Sequence, residues 1–264
     1  MTDCIDIDLV ANAGVLVRGG GLGLLVDGMH NQDGHPFDRT SREDMDRMGR
    51  GEGLFAQLDY LLFTHEHPDH FTPELVLAHL ERRPVKGVFL PDAVHGSSDL
   101  DRLVGELERR SVPYWTMGLA PGRTRTVTPE PGLTVTAVGA RHMGKQFQEV
   151  RNDCLLVELE GMRLLFTGDA DHVSAYYEEA LRDVPIDAAF VNPIFYHNPN
   201  GQAIIDGIFR PLEVIVYHMP SEGRDPFHLV FTVKRAMQKY ARPDMPVHVL
   251  DAASPHVRLC PPME

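Results

Sequence analysis

The sequence predicts an α/β (α+β) fold in which two facing mixed β-sheets carry helices on their outer sides. Three observations lead there. The chain runs through two similar halves, each opening with strands joined by tight turns and then alternating strand with helix. Apolar residues alternate with period two in the strand-rich blocks and recur at i, i+3, i+4 and i+7 in the helical ones. No Pro/Ser-rich linker, charge block or repeat divides the 264 residues, which predicts one domain over 1–264.

Strands are expected at 5–10, 14–17 and 22–26, with Gly19, Gly20 and Gly21 making the last hairpin turn because glycine takes positive φ at little cost. Residues 29–52 are polar and read as a long loop with one helix over 41–48. The apolar run from Asp59 to Thr64 reads as a strand. Thr72 and Pro73 open a helix as cap and first-turn residue, and 85–90 returns to strand. Ser98 caps a helix that buries Leu100, Leu103, Val104 and Leu107. Strands follow at 112–117, 123–127 and 133–138, then at 153–159 and 162–166 around a Glu160-Gly161 turn. The remainder reads as helix 171–182, strand 188–191, helix 202–208, strand 213–216, a helix from Asp225-Pro226 that buries Phe227, Val230, Val233 and Met237, and strand 247–250.

The formal charge of −13 repels a phosphate backbone, and no Lys/Arg run exceeds a pair, so a nucleic-acid partner is not expected. No run is long and apolar enough for a bilayer, and the first residues lack the basic and apolar regions of a secretory leader, so no membrane partner is expected either. Cys4, Cys154 and Cys260 are far apart and odd in number. That pattern predicts free thiols and a cytoplasmic location, with Cys154 packed in an apolar stretch.

The chemistry concentrates in His65-Glu66-His67-Pro68-Asp69-His70, which follows the apolar run directly. Imidazole nitrogen and carboxylate oxygen suit divalent transition metals, and three His with one Asp exceed what one tetrahedral ion takes from a single segment. Asp27, His142, Asp169 and His218 also stand at the ends of apolar runs, where a rigid sheet can bring distant residues to one centre.

With these motifs in this order, the chain resembles the metallo-β-lactamase-fold superfamily, whose signature is H-x-H-x-D-H followed by a His, an Asp and a final His on later strand ends. The resemblance implies a four-layer αβ/βα sandwich with a dinuclear site at one edge. It implies that His65, His67 and His142 bind one metal, that Asp69, His70 and His218 bind the other, and that Asp169 bridges them. Asp27 would hold the ligand-bearing loop. The implied cofactor is two divalent ions per chain, zinc first, with manganese or iron as alternatives. The implied reaction is hydrolysis of a small-molecule ester, lactone or phosphoester by a metal-bridging hydroxide, with Asp69 orienting that nucleophile.

The phrases Leu62-Phe63-Thr64-His65, Val216-Tyr217-His218-Met219-Pro220 and Asn192-Pro193-Ile194 are similar to the branch containing L-ascorbate 6-phosphate lactonase. This chain departs from it at Phe195-Tyr196-His197-Asn198-Pro199, read as a loop in which His197 serves as general acid or oxyanion donor and Tyr196 contacts substrate. His30 and Arg141 are further candidate substrate contacts, and His172 a cap or a partner to a ligand. His79, His95, His228, His248 and His256 read as ordinary packing or surface residues. An iron-dependent, dioxygenase-like oxidoreductase on the same fold is the alternative from another class; a silent binding protein is disfavoured by the full donor set. An RNA-processing nuclease fits poorly, because 49 residues separate Asp169 from His218 and 46 follow it, too few for that branch's inserted domain. The partner expected is a small molecule, and a homo-oligomer is compatible with the sequence.

Overall fold

The computed structural model describes residues 4–32, 36–92, 98–221 and 223–261, so His35 and His95 lie outside the described residues. The first sheet runs in the order β14 (His256–Leu259), β1 (Ile5–Ala11), β2 (Gly14–Gly19), β3 (Leu22–Val26), β4 (Tyr60–Leu62), β5 (Gly87–Leu90) and β6 (Tyr114–Thr116). The second runs β13 (Val247–Val249), β12 (Glu213–Val216), β11 (Ala188–Val191), β10 (Met162–Phe166), β9 (Arg151–Leu159), β8 (Leu133–Arg141) and β7 (Thr124–Glu130). Each sheet is antiparallel through its hairpins and then parallel, from β3 to β6 in one and from β10 to β13 in the other.

Period-two alternation decides which face meets which layer. Ile7, Val15, Leu24 and Leu62 of the first sheet pack against Val135, Leu155, Val157 and Phe190 of the second, forming the central core. Their sequence neighbours point outward. Leu16, Leu25, Leu61 and Val88 meet α1 (Arg42–Arg50), α2 (Pro73–Arg82) and α3 (Ser98–Arg109). Leu156, Leu165, Ala189 and Val214 meet the helices of the other side: α4 (Glu178–Leu181), α5 (Pro193–His197), α6 (Pro199–Ile204) and α7 (Leu229–Lys239). The result is the predicted αβ/βα sandwich of four layers.

Several local expectations are corrected. Residues 171–182 form only a 3₁₀ turn at Ser174–Tyr176 and the single turn of α4, because Tyr177 buries its ring in the outer core and its hydroxyl bonds the Asp171 carbonyl. Thr72 sits at the cap of α2, but its hydroxyl is used by Asn31, not by the helix. Asp225 does cap the last helix, with its carboxylate accepting the amides of Leu229 and Val230, which delays the helix start. Phe227 therefore stays 66% exposed, not buried.

The cysteine expectation fails for a topological reason. Strand β14, absent from the sequence reading, returns antiparallel to β1 with Leu259 opposite Ile5, and Cys4 and Cys260 join in a disulfide with their Cα atoms 4.3 Å apart. That bond removes the cysteine-based reason for expecting a reducing compartment. Cys154 is free and buried, as expected. No helix among the described residues is long and apolar enough to cross a membrane.

Candidate metal centre

The parallel strands β3, β4, β10, β11 and β12 end on one edge of the sandwich, where their following residues converge. Two of those residues leave their strands in the left-handed backbone region, Asp27 at φ 48° and His218 at φ 58°. Non-glycine residues there cost roughly 1–2 kcal/mol each, and such strain collects where a side chain must be aimed.

Asp27 is the hub beneath the motif. Its carboxylate accepts the Thr64 amide at 2.8 Å and the Thr64 hydroxyl at 2.7 Å, and pairs with His70 Nδ1 at 3.0 Å. Thr64 Oγ1, having donated to Asp27, lies 3.0 Å from His65 Nδ1. The network assigns the ring protons of His65 and His70 to Nδ1 and leaves each Nε2 with a lone pair facing the site. On the other sheet His142 Nδ1 meets the Met143 carbonyl at 2.6 Å, with the same outcome. His65 Nε2 and His142 Nε2 are buried and make no hydrogen bond.

Asp169 lies between the groups. Its Oδ2 is 3.3 Å from His142 Nε2 and 3.9 Å from His70 Nε2, and its Oδ1 is 3.7 Å from His218 Nε2. Asp69 Oδ2 is 3.7 Å from His218 Nε2 and 3.9 Å from His70 Nε2, and the two imidazoles face each other with their Nε2 atoms 3.0 Å apart. Among the described residues, three donor sets are compact enough to hold an ion: His65, His67 and His142; His65, His70 and Asp169; Asp69, His70 and His218. Orphaned buried nitrogens among carboxylates fit a borderline divalent cation.

His65 and His67 are held neutral, as ligands must be, whereas the carboxylates around His70 favour a proton there that a bound cation would displace. Burial, then neighbouring His70 and His142, holds His65 well below the usual histidine range, and burial with His142 lowers His67 to about 4. Burial opposes charge on His70 too, but Asp69, Asp27 and Asp169 outweigh it and raise it to about 9. Burial likewise opposes ionisation of Asp169; His218, His142 and His70 overcome it and hold its carboxyl well below the usual range.

A cavity of about 130 Å³ opens over this cluster. Its floor is His67, Asp69, His142, Asp169 and His218, and its walls include Phe37, Met143, Phe147, Ile194 and Leu229. The expected substrate contacts are elsewhere. Asn192 caps α5 through the Phe195 amide and turns the expected loop into helix, so His197 folds back with Nδ1 3.0 Å from the Pro193 carbonyl, off the cavity wall. Tyr196 is buried in the outer core, and the Arg141 guanidinium bonds the Gln148 carbonyl. His30 is buried beside the site, lowered to about 4 by burial and His70, without lining the cavity. His172 lies three residues after Asp169 but starts no helix; its ring rests on Phe195.

Four supports escaped the sequence reading: Thr64, Asn152, Asn192 and Tyr217. Asn152 receives the Asp169 amide at 2.8 Å and donates to the Thr167 carbonyl at 2.9 Å. Asn192 donates to the Gly168 carbonyl and to Asp169 Oδ1 at 3.0 and 3.1 Å, and Tyr217 Oη accepts the Gly168 amide at 3.2 Å. Only Asn192 carried a readable signal, as an Asn before Pro at a helix start.

Comparison with known proteins agrees with this architecture. A beta-lactamase superfamily domain model matches residues 42–238. A UPF0173 metal-dependent hydrolase from Polaromonas sp. strain JS666 is 29% identical over 157 residues, 51% of this chain and 52% of that protein, so the chain spans about half the length of the curated relative it matches. Among solved structures, Igni18, a metallo hydrolase from the archaeon Ignicoccus hospitalis, superposes with TM-score 0.58 at 15% identity, covering 97% of this chain and 99% of the other. CmlA, a diiron β-hydroxylase from Streptomyces venezuelae, superposes with TM-score 0.57 at 19% identity, covering 98% and 54%. The motif order, the two-sheet sandwich and the matched residues together make the chain a member of the beta-lactamase superfamily, in its metallo-β-lactamase fold.

Proposed function

We propose that the chain is a metal-dependent hydrolase of small-molecule esters, lactones or phosphoesters, with two divalent ions held by His65, His67 and His142 and by Asp69, His70 and His218. The observation that carries this reading is the position of Asp169, whose two carboxylate oxygens face histidines of both sets. When bound, two such ions lower the pKa of a shared water enough to keep a nucleophile at neutral pH.

The chain's own residues supply the rest. Asp69 stands on the cavity floor with its backbone carbonyl held by the Asn12 side-chain amide at 3.1 Å, so its carboxylate can orient the attacking water and take its proton. For an ester, the water oxygen bonds to the carbonyl carbon, the acyl C–O bond breaks, and the leaving alkoxide receives that proton. Phe37 and Phe147 restrict bulk water above the donors. Metal content should approach two ions per chain, with hydrolysis of at least one ester, lactone or phosphoester and none by Asp69→Ala; full hydrolysis by that variant would sink the mechanism.

The likeness in fold to a diiron β-hydroxylase supports a second reading, an iron-dependent oxidoreductase, since the same nitrogen and oxygen donors suit iron. Oxygen consumption by the iron-loaded protein, with no hydrolytic product, would favour it.

A further inference from the structure

Resting on the hydrolase reading above, we infer that the acyl part of the substrate is compact, uncharged and apolar, and that Phe37, Met143, Phe147, Ile194 and Leu229 select it as a collar. Apart from Asn192, whose side-chain amide is engaged with the Gly168 carbonyl and Asp169, the polar residues lining the cavity are the five of its floor, whereas these five side chains and Pro193 are apolar. One aromatic guards each donor set: Phe37 meets His218 edge-on at 4.3 Å, and Phe147 lies 4.9 Å from both His67 and His142. Phe147 and Ile194 remain 37% and 39% exposed at the mouth, apolar area that an apolar ligand would cover.

Charge points the same way. All 25 Lys and Arg residues of the sequence fall within the described residues, and none lines the cavity. The cations nearest in sequence are committed or turned outward. Arg39 is exposed beside a separate cavity, Arg141 bonds the Gln148 carbonyl, Arg224 bonds Asp38 and Ser221, and Lys145 is exposed on the short turn that carries Phe147. Metal ions would balance charge only at the reacting group. A phosphate elsewhere on the substrate would be desolvated against phenylalanine and leucine with no partner, which strongly disfavours it. The cavity of about 130 Å³ is open on one side, so it grips a short acyl chain without having to enclose the whole substrate. A short aliphatic ester or lactone meets these conditions; a sugar phosphate does not.

Calorimetry on the zinc-loaded protein separates this from the hydrolase reading, using pentanamide and the same amide with a terminal phosphate. Pentanamide should bind at least tenfold more tightly. Phe147→Ala and Phe37→Ala should each weaken it about tenfold, the effect of uncovering part of an aromatic wall, and Lys145→Ala should change neither ligand. The matching aryl pentanoate should be hydrolysed with kcat/KM at least tenfold above its phosphate-terminated counterpart. Tighter binding of the phosphorylated amide, its loss in Lys145→Ala, or no pentanamide binding would overturn the collar. Pentanamide binding that depends on both phenylalanines, without turnover of any ester, would uphold the collar and remove the hydrolase reading. Ester turnover that favours the phosphate would do the reverse.

Discussion

Four of the seven candidate donors come from six consecutive residues after β4, whereas His142, Asp169 and His218 arrive singly from the ends of β8, β10 and β12. The supports differ as much as the sources. The compact side rests on one buried carboxylate, Asp27, which touches Thr64 and His70. The dispersed side rests on neutral amides, Asn152 and Asn192, around Asp169. A charged hub makes His70 more basic and fixes its tautomer, while amides position Asp169 and leave its negative charge for a cation. The Asp153 amide, bonded to the Thr64 carbonyl at 2.9 Å, ties the two sides together.

Removing the shared member should break the comparison altogether. On the proposed two-ion hydrolase reading, Asp169→Ala is expected to lower hydrolysis at least about 10³-fold and to leave no more than one ion per chain by elemental analysis, because both sets would lose a charge they share. The supports should then separate the sides. Asp27→Asn should weaken metal binding roughly 10- to 100-fold, and Asn152→Ala should chiefly lower thermal stability, by about 1–3 kcal/mol for the unpaired Asp169 amide and Thr167 carbonyl. Competition with a calibrated chelator and a melting curve, run on both variants, would show whether the division holds; equal metal loss in both would erase it.

The first sheet's outer layer adds an acid-sensitive element apart from the metal donors. His79 of α2 is 1% exposed and lowered to about 4, by burial first and then by Arg83 and Arg82. Its folded pKa lies below the unfolded value near 6.5, so its stabilising contribution is present above about pH 6.5 and declines as pH falls toward 4. Between pH 7.5 and pH 5 that amounts to about 2 kcal/mol. His79→Leu should therefore lose about 2 kcal/mol less than the parent over this range in urea unfolding. The smallest effect is expected at His197, whose imidazole is engaged with its own helix. His197→Ala should leave kcat/KM within about twofold, and a larger fall would return that residue to the chemistry.

The same contrast explains what could be read from the letters. His65 to His70 are legible because the ligands are neighbours and an apolar strand precedes them. His142, Asp169 and His218 were reached through their order within a resembled family, since no local pattern links β8, β10 and β12. Among the wall residues Ile194 is legible, in the Asn192-Pro193-Ile194 phrase, but Phe37 and Phe147 look like any scattered apolar side chain until the strand ends bring them over His218 and His67. The apolar period over 171–182 imitates a helix but serves a 3₁₀ turn and the anchoring of Tyr177. The pairing of β14 with β1 depends on residues about 250 positions apart, beyond any window of periodicity.

The bond between Cys4 and Cys260 closes a covalent ring whose two closing residues are 256 positions apart in sequence. A single protease cut at any exposed loop would then open the ring without releasing a fragment. The nicked protein should migrate as one species until a reductant is added and as two afterwards, so the cut pieces stay at high effective concentration beside each other.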